Sequence, residues 1–351
     1  MEKKRVLVAM SGGVDSSAAA LLLQQQGYAC DGAMLKLYSG EVEGTCCSAD
    51  DAADARSVAY GLGMKFYVFN ETERFARDVM DRFVAEYCAG RTPNPCILCN
   101  PSTKFGLICQ AAKEMGFDFI ATGHYARIER ENGRYLLKKA VDLSKDQSYV
   151  LYMLTQEQLA HTQFPLGTLH KAETRQLADS LGFFNARKPD SQDICFVPDG
   201  DYAAFIRRHT GKADAPGNFV DEAGRILGRH KGIAHYTIGQ RKGLGIPSNR
   251  PLYVKAIDSK SNQVVLSGND ALFSQQLTGE NFNWIAWEAP PRQFRCSAKI
   301  RYRQTEQPCE VTVEEDGSVQ VLFDRPQRAI TPGQTVVLYD GDTVLGGGTI
   351  L

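Results

Sequence analysis

The string Ser11-Gly12-Gly13-Val14-Asp15-Ser16 comes directly after the apolar run Val6-Leu7-Val8-Ala9-Met10. Residues 18–26 follow with a helical composition and no Gly or Pro before Gly27. The context is strand, tight loop, helix. Two glycines let the backbone approach an anion closely, and Ser11 and Ser16 add hydroxyls. The helix N-terminus brings unpaired N–H groups and partial positive charge to the same point. Such a loop suits phosphate. No Lys follows the glycines and the spacing is not GxxxxGK[ST], so this is not a Walker loop.

At 351 residues the chain is long enough for two or three domains, and its charged fraction of 23% is that of a globular protein. A net charge of −1 gives no global attraction for nucleic acid, so such binding must come from local patches. No apolar run approaches the roughly 20 residues that span a bilayer, and no membrane association is expected. The start, Met1-Glu2-Lys3-Lys4-Arg5, leads straight into the first strand without a signal-peptide pattern, so a cytoplasmic location is expected. The ten cysteines, at 30, 46, 47, 88, 96, 99, 109, 195, 296 and 309, then read as reduced thiols rather than a disulfide framework.

Strand and helix patterns alternate through the first part: strands at 6–10, 31–38, 65–70 and 117–123, helices at 17–26, 49–62, 73–88 and 104–115. This rhythm predicts an α/β fold with a doubly wound parallel sheet and ligands at the carboxyl ends of its strands. It breaks near 190–199. A short helix is expected at 202–209, then short strands with Gly turns. From about Gly279 the pattern is all strand, at 296–303, 310–313, 318–323, 334–339 and 343–351, as in a small β-barrel. The expected domains are 1–200, 201–278 and 279–351.

Two cysteine sites stand out. Arg91-Thr92-Pro93-Asn94-Pro95-Cys96-Ile97-Leu98-Cys99-Asn100 reads as a proline-stiffened loop presenting two thiols three positions apart. Asp190-Ser191-Gln192-Asp193-Ile194-Cys195-Phe196 sets a cysteine among polar neighbours, an odd place for a core thiol. A thioredoxin-like pair would open a helix after a strand, and a zinc knuckle would need a second CxxC. What remains is a sulfur-handling or iron–sulfur site that Cys195 joins from afar. Cys30, Cys88, Cys109, Cys296 and Cys309 read as structural, and Cys46-Cys47 as small residues before a helix.

Residues 225–255 carry Arg225, Arg229, Lys231, Arg241, Lys242, Arg250 and Lys255 with no Asp or Glu, and with Tyr236 and Tyr253 interleaved. A second acid-free stretch, 292–303, holds Arg292, Arg295, Lys299, Arg301, Arg303 and Tyr302. Basic stripes with aromatics in a nearly neutral chain point to an RNA phosphate footprint; a solvated basic face is the alternative.

The string SGGVDS resembles the pyrophosphate loop of enzymes that split ATP into AMP and pyrophosphate. Further matching segments are Gly90-Arg91-Thr92-Pro93-Asn94-Pro95, Leu98-Cys99-Asn100, Ala121-Thr122-Gly123-His124-Tyr125, Lys145-Asp146-Gln147-Ser148-Tyr149, Ile194-Cys195-Phe196, Thr237-Ile238-Gly239-Gln240-Arg241-Lys242-Gly243-Leu244, Lys299-Ile300-Arg301-Tyr302-Arg303 and Thr331-Pro332-Gly333-Gln334. Together they resemble the tRNA-uridine 2-sulfurtransferases (tRNA-specific 2-thiouridylases) over essentially the whole chain. The resemblance implies an ATP-binding catalytic domain, a small central tRNA-binding domain and a C-terminal barrel. It implies ATP contacts from Ala9, Met10, Ser11, Gly12, Gly13, Val14, Asp15 and Ser16, from the backbone near Leu35 and from Gly123, with Mg²⁺ on the phosphates. It implies tRNA contacts at Asn94, Pro95, Cys96, His124, Lys145, Asp146, Gln147, Arg301, Tyr302 and Gln334. Cys99 becomes the nucleophile, Cys195 the persulfide carrier, and a sulfur-donor protein a partner.

One position departs from the pattern. Many members carry Asp at 96, beside the target base; here it is Cys96. That removes the carboxylate acid/base and opens a second version, in which Cys96, Cys99 and Cys195 hold a [4Fe–4S] cluster. Either way the expected reaction is 2-thiolation of the tRNA wobble uridine: ATP adenylates the C2 oxygen, and a protein-carried sulfur displaces AMP. Enzymes that adenylate small molecules are the rival in chemistry, and they need neither two reactive cysteines nor a basic barrel. An RNA-binding relay without catalysis is the rival in class, and the intact loop speaks against it.

Overall fold

The computed structural model describes residues 3–38, 49–180 and 194–351. The pair Cys46-Cys47 and the polar stretch 190–193 lie outside the described residues. In the N-terminal part, β1 (Arg5–Ala9), β2 (Ala29–Lys36), β3 (Phe66–Asn70) and β4 (Phe119–Ala121) form one sheet. The antiparallel hairpin β5 (Ala126–Glu131) and β6 (Arg134–Lys139) comes next, then β7 (Thr162–Gln163). The sheet order is β3-β2-β1-β4-β7, with parallel pairings throughout. Val6, Leu7 and Val8 in the central strand are fully buried. Helices cover both faces of such a sheet, so its core strand reads as an unbroken apolar run. The helix α1 (Val14–Gln25) packs its Ala- and Leu-rich sequence against the sheet directly after the loop.

The helix expected at 73–88 exists as Thr72–Phe75, a π turn at Ala76–Met80, and Asp81–Cys88. The cysteine segment departs from the expected loop: Pro95–Cys99 is a short helix, continued by a π turn at Asn100–Lys104 into the helix Phe105–Glu114. Pro101 has no N–H to give to the turn below it, and the wider turn accommodates that loss. The Ser102 hydroxyl donates to the Leu98 carbonyl at 2.7 Å.

The central part builds β8 (Gly217–Val220), β9 (Ile226–His230), β10 (Tyr253–Asp258) and β11 (Gln263–Ser267) into a sheet of order β10-β11-β8-β9 around Phe219, Val254 and Val264. The C-terminal part contains β12 (Phe273–Trp284), β13 (Gln293–Lys299), β14 (Gln307–Val313), β15 (Val319–Arg328), β16 (Thr335–Asp340) and β17 (Thr343–Ile350). The order β12-β15-β14-β13-β16-β17 closes through β12–β17, which removes the exposed edges. β12 begins ahead of the boundary expected at 279.

The hairpin β5–β6 belongs to the first part in sequence, yet it extends the barrel sheet by pairing with β17. Asn132 and Gly133 at its turn both have positive φ, at 47° and 85°. An Asn-Gly pair between short strands is the sequence signal for such a hairpin. The barrel is thereby tied to the ATP-loop sheet. Among the described residues no helix is long and apolar enough to cross a membrane.

Candidate active site

The loop between β1 and α1 is organised by its own hydroxyls. The Ser11 N–H donates to Ser16 Oγ at 3.2 Å, and the hydroxyls of Ser16 and Ser17 each donate to the Gly13 carbonyl at 3.1 Å. Gly12 has φ +75° and lies so close to the Asp51 carbonyl that a Cβ would sit 2.5 Å from it. No other residue fits that conformation and that space. Gly123, just past the end of β4, presses on the loop from the other side: a Cβ there would lie 2.7 Å from the Asp15 carbonyl carbon and the Ser16 nitrogen. Ala9, Met10 and Leu35 stand at the carboxyl ends of β1 and β2, where the Met10 N–H donates to the Ala33 carbonyl at 2.8 Å. The ten positions expected at ATP therefore converge at one end of the sheet.

Two groups that the sequence reading overlooked meet Asp15. Lys171, at the start of the helix Lys171–Ser180 and almost wholly buried, donates to both carboxylate oxygens, at 2.7 and 2.8 Å. The Tyr125 hydroxyl lies 3.1 Å from Asp15 Oδ1 and 2.9 Å from Thr174 Oγ1. Lys171 lies far from the loop in sequence, and no spacing signal links them. It supplies next to the loop the cation that the loop itself lacks.

His124 packs on the first residue of the helix Phe105–Glu114. Its Nδ1 lies 2.7 Å from Thr122 Oγ1, and its ring packs on Phe105 and Phe164 at centroid distances of 5.7 and 6.0 Å. Burial, aided by the charge of Lys104, pushes the imidazole down to about 3, so the ring is neutral near pH 7.

The helix Pro95–Cys99 begins with Asn94 as N-cap, whose side-chain oxygen accepts from the Cys96 N–H at 3.2 Å, and with Pro95 at its first turn. Cys96 is exposed and Cys99 buried. Three positions apart, they share one side of the helix. Cys195 is half-buried and packs against the same apolar core as Cys99. The neighbouring Phe196 ring anchors it, edge-on to Phe75 at 5.7 Å and Phe83 at 5.2 Å. The two cysteines thus belong to one core although nearly a hundred residues separate them. Among the described residues, however, no group of three His, Cys, Asp or Glu side chains is placed to hold a metal ion.

The barrel reaches the cysteine helix from below. The Gln334 side chain donates to the Thr92 carbonyl at 2.7 Å, and the Thr92 N–H donates to the Pro332 carbonyl at 3.0 Å. Arg301 is held by the Ala329 carbonyl at 3.0 Å and Thr331 Oγ1 at 2.9 Å, and burial lowers its affinity for the proton. Tyr302 remains exposed, 6.0 Å from the buried Tyr149 ring, with the Lys299 ammonium 5.8 Å from its centre. Asp146 is buried and accepts from the Ala140 and Ser148 N–H groups and from the Ser148 hydroxyl. Its carboxylate shapes the loop that presents the half-buried Lys145. Gln147 accepts from the Tyr125 N–H at 2.9 Å and so joins that loop to the Asp15 network.

Comparison with known proteins decides the family. The tRNA methyl transferase HUP domain matches residues 4–199, the tRNA methyl transferase PRC-barrel domain 203–268, and the aminomethyltransferase β-barrel domain 274–350. A tRNA-specific 2-thiouridylase, MnmA 1 of Thermoanaerobacter sp. (strain X514), is 52% identical over 99% of this chain and 98% of its own length. MnmA of Acetivibrio thermocellus is 50% identical over 100% of both chains, and MnmA of Clostridioides difficile (strain 630) 48% identical over 99% of this chain and 98% of its own. The chain belongs to the tRNA-specific 2-thiouridylase family. The three matched regions follow the sheet, the central part and the barrel described above.

In this chain the two basic stripes differ in character. Arg225 pairs with Asp221 and Lys255 with Glu222, whereas Arg229, Lys231, Arg241, Lys242 and Arg250 are exposed. A groove of about 360 Å³ runs past Arg241, Leu244, Ile246 and Arg250. In the second stripe Arg292 faces Glu315, Arg295 is paired with Asp324, and Arg301 is spent on carbonyls. Of that stripe Arg301 is the residue held internally, while Arg292, Arg295 and Arg303 stay exposed.

Proposed function

We propose that the chain carries out ATP-dependent 2-thiolation of the wobble uridine of tRNA. What supports the reading is the phosphate loop in a chain about half identical, over its full length, to tRNA-specific 2-thiouridylases, together with Cys99 and Cys195, which pack into the same large apolar core. A phosphate loop alone would serve many adenylating enzymes; the added cysteines Cys99 and Cys195 suit sulfur transfer.

The uridine C2 carbonyl is a weak electrophile with a poor leaving oxygen. Its oxygen attacks the α-phosphorus of ATP, pyrophosphate departs, and C2 is left bearing an AMP leaving group. The loop N–H groups and the N-terminus of α1 hold the phosphates and take up charge as the bond to pyrophosphate breaks. Asp15, a third exposed and the only carboxylate of the loop, would hold Mg²⁺, which supplies charge neutralisation at the phosphates.

Cys195 carries sulfur as a persulfide delivered by a donor protein. The terminal sulfur attacks C2 and AMP leaves with the former uridine oxygen. Cys99 thiolate then attacks the Cys195 sulfur, the sulfur–sulfur bond breaks toward the base, and a Cys99–Cys195 disulfide remains for a thiol reductant to return to two thiols. To Asn94, Pro95, Cys96, His124, Lys145, Tyr302 and Gln334 we assign the tRNA contacts that would bring an unstacked base to the site.

The test is an assay with unmodified tRNA, ATP and a persulfide donor, scored for 2-thiouridine and for the nucleotide product. We expect AMP and pyrophosphate, formed only when a wobble uridine is present. Release of ADP, or equal turnover of free uridine, overturns the proposal.

A further inference from the structure

Cys296 and Cys309 lie directly opposite each other on β13 and β14, with sulfurs 3.7 Å apart. Neither enters the chemistry above. Directly opposed antiparallel residues have Cα separations of roughly 4.5–5.5 Å, inside the roughly 4.4–6.8 Å range that a disulfide spans. The cross-strand register thus brings the two residues within the reach of a disulfide. The two differ in access: Cys309 is fully buried in the barrel core, while Cys296 is half-buried against it. Their position matters as well. The register runs from Cys296↔Cys309 through Ser297↔Pro308 to Ala298↔Gln307, so the pair sits at the root of the hairpin whose turn, 300–306, bears Arg301 and Tyr302.

We propose that Cys296 and Cys309 are a redox-active dithiol that closes to a cross-strand disulfide, with a small-molecule disulfide as electron acceptor, and so pins the Arg301–Tyr302 hairpin. Cys296, the accessible thiol, loses its proton and attacks one sulfur of the small disulfide, releasing one small thiol. Cys309 then loses its proton and attacks Cys296 Sγ, releasing the second. The protein loses two electrons and two protons, and the small disulfide gains them as two thiols. The hydrogen bond to Cys309 and burial both push the Cys296 thiol up, so the first step is slow. The second is intramolecular between atoms already in contact and outruns it. The site is thereby stable as a dithiol under reducing conditions and closes completely once it starts.

The experiment uses the full chain equilibrated with defined ratios of reduced and oxidised glutathione, then quenched in acid, alkylated, digested and mapped by mass spectrometry. We expect a linked Cys296–Cys309 peptide pair whose yield follows the glutathione ratio and returns to zero on reduction. It should form equally in a Cys99→Ser/Cys195→Ser background, which separates it from any active-site disulfide. The oxidised protein should melt higher than the reduced one. Recovery of both thiols singly alkylated when the exposed Cys88 has already reacted overturns the proposal. So does accumulation of Cys296 as an unresolved glutathione adduct.

Discussion

The Lys171 ammonium sits 2.7 and 2.8 Å from the two oxygens of the Asp15 carboxylate, joining the helix Lys171–Ser180 to the first turn of α1. Asp15 lies in the first turn of α1, at the positive end of that helix. Lys171 therefore fixes where that carboxylate points and keeps a cation beside the phosphate loop.

Replacing Lys171 with Met should raise KM for ATP and lower tRNA-dependent AMP formation by on the order of 100-fold, the usual scale for losing one preorganised electrostatic partner. Lys171→Arg should restore part of it, since the charge returns with a different reach. Steady-state kinetics with ATP varied, together with melting curves, check this. A variant that merely melts lower, with unchanged ATP kinetics below its transition, would assign Lys171 to stability alone.

His124 gives the acid limb of stability a definite sign. Its folded imidazole titrates near 3, through burial first and Lys104 second, against 6.5 in the unfolded chain. Below pH 6.5 the unfolded chain takes up a proton that the folded one refuses, so stability is full above that pH. It is lost as pH falls toward 3, by at most about 1.4 kcal/mol per pH unit. His124→Asn should flatten this limb. Urea midpoints at pH 7 and pH 4.5, compared between the two proteins, measure it; equal slopes would remove His124 from the account.

The parallel sheet and the phosphate loop were legible because their signals are local. Val6, Leu7 and Val8 read as a buried strand, and the glycines of the loop demand one geometry. The helix at Cys96 and Cys99 was hidden because two prolines nearby read as stiff loop, although Asn94-Pro95 is a cap followed by a favoured first-turn residue. The β5–β6 hairpin carried its signal in Asn132-Gly133, but its partner β17 lies at the far end of the chain, and no local pattern reveals such a pairing. Lys171 was invisible for the same reason. The surface pairings of Arg292 and Arg295 with Glu315 and Asp324 could not be read locally, because those partners come from other parts of the barrel sequence.

The central stripe stays exposed, and its contribution to RNA binding should scale with salt. Changing Arg241 and Lys242 to Ala should weaken tRNA binding about equally for all substrate tRNAs. The slope of log affinity against log salt should fall by roughly 0.7–0.9 for each phosphate that the protein no longer neutralises. Filter binding at several salt concentrations gives the slope directly. No change would mean that Arg241 and Lys242 are solvated surface.

Cys96 separates the two versions of the sulfur chemistry. It is exposed at the first turn of the helix that buries Cys99, and the three cysteines do not gather as ligands among the described residues. In the persulfide version thiolation proceeds through Cys99 and Cys195 without iron. Cys99→Ser and Cys195→Ser should each abolish thiolation, because a hydroxyl forms no persulfide. AMP formation should survive in Cys195→Ser, since adenylation of the uridine oxygen precedes sulfur attack. Cys96→Asp should keep activity, and a carboxylate beside the base should add a group able to move a proton. Anaerobic purification with iron and acid-labile sulfide assays, run alongside the activity of each variant, provides the check. If iron and activity are lost together in Cys96→Ser, with wild-type protein inactive until a cluster is rebuilt, the persulfide route is wrong and the cysteines must regroup around a metal when tRNA or iron is present.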